Sequence, residues 1–157
     1  MKLQYADNID AILAAEQELR SALQKTTLTI QGESVRVDYS MLDMGSIELI
    51  FDGDVNTVAR TLEANPFIIE LTFPEVRPLD GYRMILGSAD VRVTVLLFPG
   101  NGGEPLESVA DFDGSVRNPV LEVNFGGTVA AQAVRFEIFQ PYSGVPANVH
   151  VWEIELK

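Results

Sequence analysis

Residues 50–86 read IFDGDVNTVARTLEANPFIIELTFPEVRPLDGYRMIL, and this stretch decides the fold. It opens with the end of an apolar run, Ile47 to Phe51, and then makes a dense acidic turn, Asp52-Gly53-Asp54-Val55-Asn56-Thr57. Beyond the turn, Phe67 to Phe73 and Tyr82 to Leu86 are short runs rich in β-branched and aromatic residues, fenced by Asn65-Pro66 and Asp80-Gly81. Short apolar runs bounded by turn formers are the pattern of an antiparallel sheet, not of alternating strand and helix.

The same punctuation continues outward. Leu28 to Ile30, Val35 to Tyr39, Val91 to Phe98, Val120 to Phe125, Val134 to Phe139 and Val149 to Leu156 read as further strands, and Ile47 to Phe51 as another. Turns are expected at Pro99 to Gly103, Asp113-Gly114, Gly126-Gly127 and Ser143-Gly144. In Val91 to Phe98 the valines at 91, 93 and 95 alternate with Asp90, Arg92 and Thr94, so one face is core and the other meets water. The last strand alternates as well, placing His150, Trp152, Ile154 and Leu156 on one side, with Trp152 in the core, and Val149, Val151, Glu153 and Glu155 on the other. Only residues 7–25 depart from this period. Ile9, Ile12, Leu13, Leu19 and Leu23 recur at helical spacing behind Asp7 or Asn8 as N-cap, which predicts one amphipathic helix packing on the sandwich.

Length and composition narrow the function. At 157 residues, 46% of them hydrophobic, the chain suits one domain with a core of its own. It has no cysteine, so disulfides, thiolate metal sites and cysteine nucleophiles are excluded. The 23 acidic residues outweigh 11 Lys and Arg, a net charge of −12 that repels nucleic acid and anionic membranes. The N-terminus lacks the basic-then-apolar order of a signal peptide, and no run approaches the roughly 20 apolar residues of a membrane span.

The acidic turn offers carboxylates, a hydroxyl and carbonyls at close range, which is what a hard cation such as calcium requires; an Asp-Gly turn satisfied by its own backbone uses the same residues. A helix-loop-helix calcium hand would take Asp52, Asp54, Asn56 and Glu63, but its sixth position is Thr57 where glycine is needed. Glu153 shares its side of the last strand with two valines, where a carboxylate is costly unless a cation or water meets it.

The stretch at 50–86, taken with AVRFEIFQPYSGVPANVHVWEIELK at 133–157, resembles the discoidin, or coagulation-factor type C, family of the galactose-binding-like superfamily. Asp52-Gly53-Asp54 with Thr57, the run Phe67 to Phe73, Gly81 to Leu86, Arg135 and the closing Glu153-Ile154-Glu155-Leu156 match that family's order. Ala59 stands where the family often has tryptophan, which weakens the sugar-binding rim more than the fold. The resemblance implies an eight-stranded antiparallel jelly-roll β-sandwich over residues 47–157, with residues 1–46 as a helix-and-strand extension. It also implies a structural calcium held by Asp54, Thr57 and Glu153, with Asp52 in support.

Other chemistry is thin. A serine triad would have to use His150, the single histidine, which its apolar neighbours mark as packed; the glycines at 100, 102 and 103 open no helix that could cradle phosphate. Sugar recognition needs amides, arginine and aromatic rings on loops, which nominates Arg60, Asn101, Tyr142 and Asn148. The expected protein is a non-catalytic module for a neutral glycan or a protein surface, extracellular, periplasmic or surface-bound, and part of a longer bacterial chain. The alternative is a structural accessory domain without a ligand, attached to a larger enzyme.

Overall fold

A computed structural model describes residue 11 and residues 22–87, 89–113, 120–141 and 148–157. Among them are nine strands: β1 (Gln24–Ile30), β2 (Glu33–Tyr39), β3 (Leu42–Met44), β4 (Ala59–Thr61), β5 (Phe67–Leu86), β6 (Val91–Phe98), β7 (Leu106–Phe112), β8 (Val120–Phe139) and β9 (His150–Leu156). A 3₁₀ turn, Ile47–Ile50, lies between β3 and β4.

Every pairing is antiparallel, and the hydrogen-bonded path runs β3-β4-β9-β5-β8-β6-β7, with β2 and then β1 joined to β5. The two long strands carry the path through both layers. The first half of β5 pairs with β2 and the second half of β8, while its second half pairs with β9 and the first half of β8. Between the halves the register breaks at Thr72/Arg77 and again at Leu79/Gly81, and the strand folds back on itself. Tyr82 of one half meets Phe136 of the opposite layer edge-on at 5.4 Å, within a core that includes Phe67, Ile69, Leu71, Val93, Val95 and Ile138. The result is the antiparallel β-sandwich expected.

Several local expectations are corrected. Asp80-Gly81 and Gly126-Gly127 are not turns between strands but lie inside β5 and β8. Gly81 serves close approach: a Cβ there would sit 2.0 Å from the Val123 carbonyl oxygen across the ladder. The run Ile47 to Phe51 is not a strand, because its buried residues, Ile47 and Ile50, recur every third position, the period of a 3₁₀ turn. β7 escaped the sequence reading; as an edge strand whose Leu106 and Val109 are exposed, it carries no clean alternation. The short strands β3 and β4 escaped it as well. The expected helix over 7–25 falls almost wholly outside the described residues, and where description resumes Gln24 and Lys25 are already strand.

Trp152 is half-buried and outside the core cluster. Ile85 pairs with Glu153 and the next residue, Leu86, with Val151, so Trp152 is an extra residue bulged out of β9. The bulge reverses the alternation. Val149 and Val151 face the core before it, Ile154 and Leu156 after it, and Glu153 turns outward.

Candidate functional site

The acidic turn is tied to β9 through the Gly53 amide and Glu153, and the 3₁₀ turn leading into it packs on β9 and β4 with Ile47 and Ile50 in the core. Gly45, at φ +73°, allows the chain to enter: a Cβ would be 2.2 Å from the Val58 carbonyl oxygen, so residues on either side of the segment are clamped together. The turn is internally braced, with the Asp54 amide donating to Asp52 Oδ1 at 2.8 Å and the Asn56 amide to Asp54 Oδ1 at 2.9 Å.

Two features of the turn leave oxygen atoms short of donors. The Thr57 hydroxyl oxygen is 3.1 Å from the Asp54 carbonyl, 3.3 Å from Asp52 Oδ2 and 3.4 Å from the Leu49 carbonyl, three acceptors for one proton. Beneath them Glu153 is only 8% exposed; its Oε1 accepts from the Gly53 amide at 3.1 Å and its buried Oε2 has no hydrogen-bond partner. Burial pushes the Glu153 carboxyl up to about 7, against the Gly53 hydrogen bond, with Asp52, Glu155 and Asp54 adding repulsion. Among the described residues no three of His, Cys, Asp and Glu converge. The oxygens that do gather are mixed: carboxylate, hydroxyl and carbonyl, the donor set calcium takes. Asp54 contributes its carbonyl here, not its carboxylate, which the Asn56 amide occupies. The helix-loop-helix alternative fails, since the turn is followed by β4 and Glu63 sits in a loop at φ +51°, its amide donating to Asn148 Oδ1.

Arg60 and Asn148 come together at one end of the sandwich. Arg60 pairs with His150 across β4 and β9, and Asp43, the bulged residue of β3, grips its guanidinium with two bonds of 2.8 and 2.9 Å. Asp43 holds Arg60 more firmly protonated, and the same fork holds the Asp43 carboxyl below its usual range. Burial and then the Arg60 charge push the His150 imidazole down, against the opposing pull of Asp43. The surrounding loop is fixed: Thr61 and Val149 exchange bonds, and Asn65 and Gln140 bond reciprocally at 2.9 Å. Asp43 and His150 are members that the sequence reading missed; a lone histidine gives no hint of the arginine across the ladder. At this same end Asp90, Arg92, Asp111, Phe112 and Pro141 line a cleft of about 520 Å³.

Asn101 does not join them. It lies in the loop between β6 and β7, at the far end of β6, roughly 25 Å from the Arg92 end by strand rise, and its Oδ1 accepts from the Gly103 amide. Tyr142 lies outside the described residues.

No family model matches the sequence, and no curated protein matches it. Solved structures do match in shape. A module named CpGH89CBM32-6, produced by Clostridium perfringens, superposes with a TM-score of 0.60 at 14% identity over 84% of this chain and 98% of its own. A Streptococcus pneumoniae fucose-binding module, SpX-3, gives 0.58 at 16% identity over 84% and 97%. A Ruminococcus gnavus fucosidase in complex with fucose gives 0.61 at 10% identity over 78% of this chain but only 25% of that one. The fold of this chain is therefore the antiparallel β-sandwich that these solved structures share.

Proposed function

We propose that this chain is a non-catalytic glycan-binding module, braced by one calcium ion and carried in a longer exported or surface protein. The observation that carries the reading is a restrained arginine, Arg60, paired across the ladder with His150 at the loop end of a sandwich shaped like sugar-binding modules, where Asn148 also lies, holding the Glu63 amide. A guanidinium locked by Asp43 keeps its remaining N–H groups aimed without further loss of freedom, which suits vicinal sugar hydroxyls. The excess of acidic residues, 23 against 11 basic, favours a neutral glycan over an anionic one. One neighbour of this shape occupies a quarter of a fucosidase chain, which fits a domain appended to a larger enzyme.

Calcium in this reading is structural. Asp52, Thr57, the carbonyls of Leu49 and Asp54, and Glu153 would hold it, and its charge would answer the buried Glu153 oxygen and tie the turn to the closing strand.

The test is titration with fucose, galactose and a glycan array, read by calorimetry and amide chemical shifts. Arg60→Ala is expected to weaken binding at least tenfold, Asp43→Asn less, and Asn101→Ala not at all. Absence of binding to any glycan at millimolar concentration would turn the assignment to the ligand-free accessory domain.

A further inference from the structure

Aliphatic side chains surround Arg60, and the strand register fixes the face they occupy. Leu42 packs against the core, and Thr61, its partner across β3 and β4, is fully buried, so both point inward. The Leu62 amide donates to the Met41 carbonyl at 2.8 Å, which continues the ladder by one pair and turns Met41 and Leu62 outward. One step the other way, Met44 stands opposite Arg60 and Arg60 opposite His150, while Ala59 and Val151 beside them are core residues. The Thr61 amide donates to the Val149 carbonyl at 3.0 Å, which brings Asn148 level with Leu62. Two rows thus share the outward face: Met41, Leu62 and Asn148, then Met44, Arg60 and His150.

The apolar members of these rows stand in water. Met41 is 48% exposed, Leu62 45% and Met44 42%, three of the eight large hydrophobic side chains exposed among the described residues, so that exposure is concentrated around Arg60. By strand spacing the Met44 backbone lies about 5 Å from that of Arg60, and Leu62 about 7 Å from it along β4. Asp43 holds the guanidinium at this face. A contiguous apolar patch beside a fixed polar group is a place where ligand surface is covered. The flat face of a pyranose is matched by a flat aromatic ring, whereas two unbranched thioethers and a leucine mould round a small protruding group. Arg60 and Asn148 meanwhile offer hydrogen bonds to hydroxyls, so the protruding group belongs to a polyhydroxylated ring. We infer that Met41, Leu62 and Met44 form a methyl subsite beside Arg60, and that the sugar residue it selects is a 6-deoxyhexose, its C6 methyl among them and its ring hydroxyls on Arg60, His150 and Asn148. The inference rests on the glycan-binding reading and deepens it. A hydroxyl at C6 would leave water there and gain from these three side chains only weak sulfur acceptors.

Hexoses that differ only at C6 isolate the subsite: D-fucose against D-galactose, L-fucose against L-galactose, and L-rhamnose against L-mannose. In calorimetry on the full chain, the deoxy member of at least one pair is expected to bind roughly fivefold or more tightly. Met44→Gln with Leu62→Asn, exchanges of similar size at exposed positions, should bring that ratio to within about twofold of one; Val109→Asn, at an exposed position on β7, should leave it as it was. The chain has four methionines, so isotopic labelling of their methyl groups reads contact directly. The Met41 and Met44 signals should shift more with the deoxy sugar than with its partner, and that of the buried Met84 with neither. Equal affinities within every pair, a preference for the hydroxylated member, or a preference that survives the double substitution would overturn the methyl subsite and leave glycan binding standing. Failure of all six sugars to bind at millimolar concentration also overturns the subsite; where the glycan array is blank as well, the glycan-binding reading falls with it.

Discussion

Glu153→Gln changes one atom of the side chain and separates the two roles of that carboxylate. A rise from the ordinary 4.5 to about 7 means that the folded protein holds a proton the unfolded chain has released across that window. Stability from this group is therefore greatest below pH 4.5, falls as the pH rises to about 7, and is flat above. At about 1.4 kcal/mol per pH unit, the cost of ionising Glu153 in the metal-free protein is about 3 kcal/mol. The amide keeps an acceptor for the Gly53 N–H, whose bond to the carboxylate is already counted in that shift. In chelator at pH 8 the variant should thus be more stable than the parent by about 3 kcal/mol, or roughly 6–12 °C in Tm for a domain of this size. Near pH 4.5 the two curves should converge. Calcium reverses the order: at a thousand times its Kd it adds about 4.1 kcal/mol to the parent and little to the variant. Thermal melts at both pH values, with and without calcium, read all four quantities. A variant less stable than the parent at pH 8 in chelator, or one that gains as much from calcium, would refute this account of Glu153.

Three further substitutions probe the scaffold. Tyr82→Phe keeps the ring contacts with Phe125 and Phe136 and removes a buried hydroxyl that has no partner, so urea melts should show a gain of about 1 kcal/mol. Arg135→Met takes the guanidinium from the buried Glu70 carboxylate and should lower stability by the same assay, whereas Arg135→Met with Glu70→Leu should recover most of the loss. Gly81→Ala drives a methyl into the Val123 carbonyl and should lower the Tm by several degrees, with no effect on calcium affinity.

Class and layer structure were legible because alternation survives in the central strands: the valines of β6 and the phenylalanines and isoleucines of β5 announce which face is buried. What misled was punctuation. Asp80-Gly81 and Gly126-Gly127 carry turn composition, yet they serve close approach and bending inside long strands, a demand of tertiary geometry that no local pattern encodes. The Gly53 amide on Glu153 brings the acidic turn against the closing strand, a contact across 100 residues that no local pattern encodes. Of the nominated loop residues, Arg60 and Asn148 lie at one end of the sandwich and Asn101 at the other, because loop composition says nothing about which end of a sandwich a loop occupies. Asp43 was invisible since it reaches Arg60 only through the bulge in β3.

The extra residue in β9 has a consequence for how this domain tolerates change. Val149 and Val151 set one parity for the strand and Ile154 and Leu156 the other, and Trp152 is the stitch that reconciles them. Deleting Trp152 would bring all four onto one parity, with Glu153 still on the opposite face, so β9 would close as a regular strand. The sole tryptophan thus marks a point where the strand tolerates the loss of a residue, and its emission is an intrinsic optical reporter adjoining Glu153.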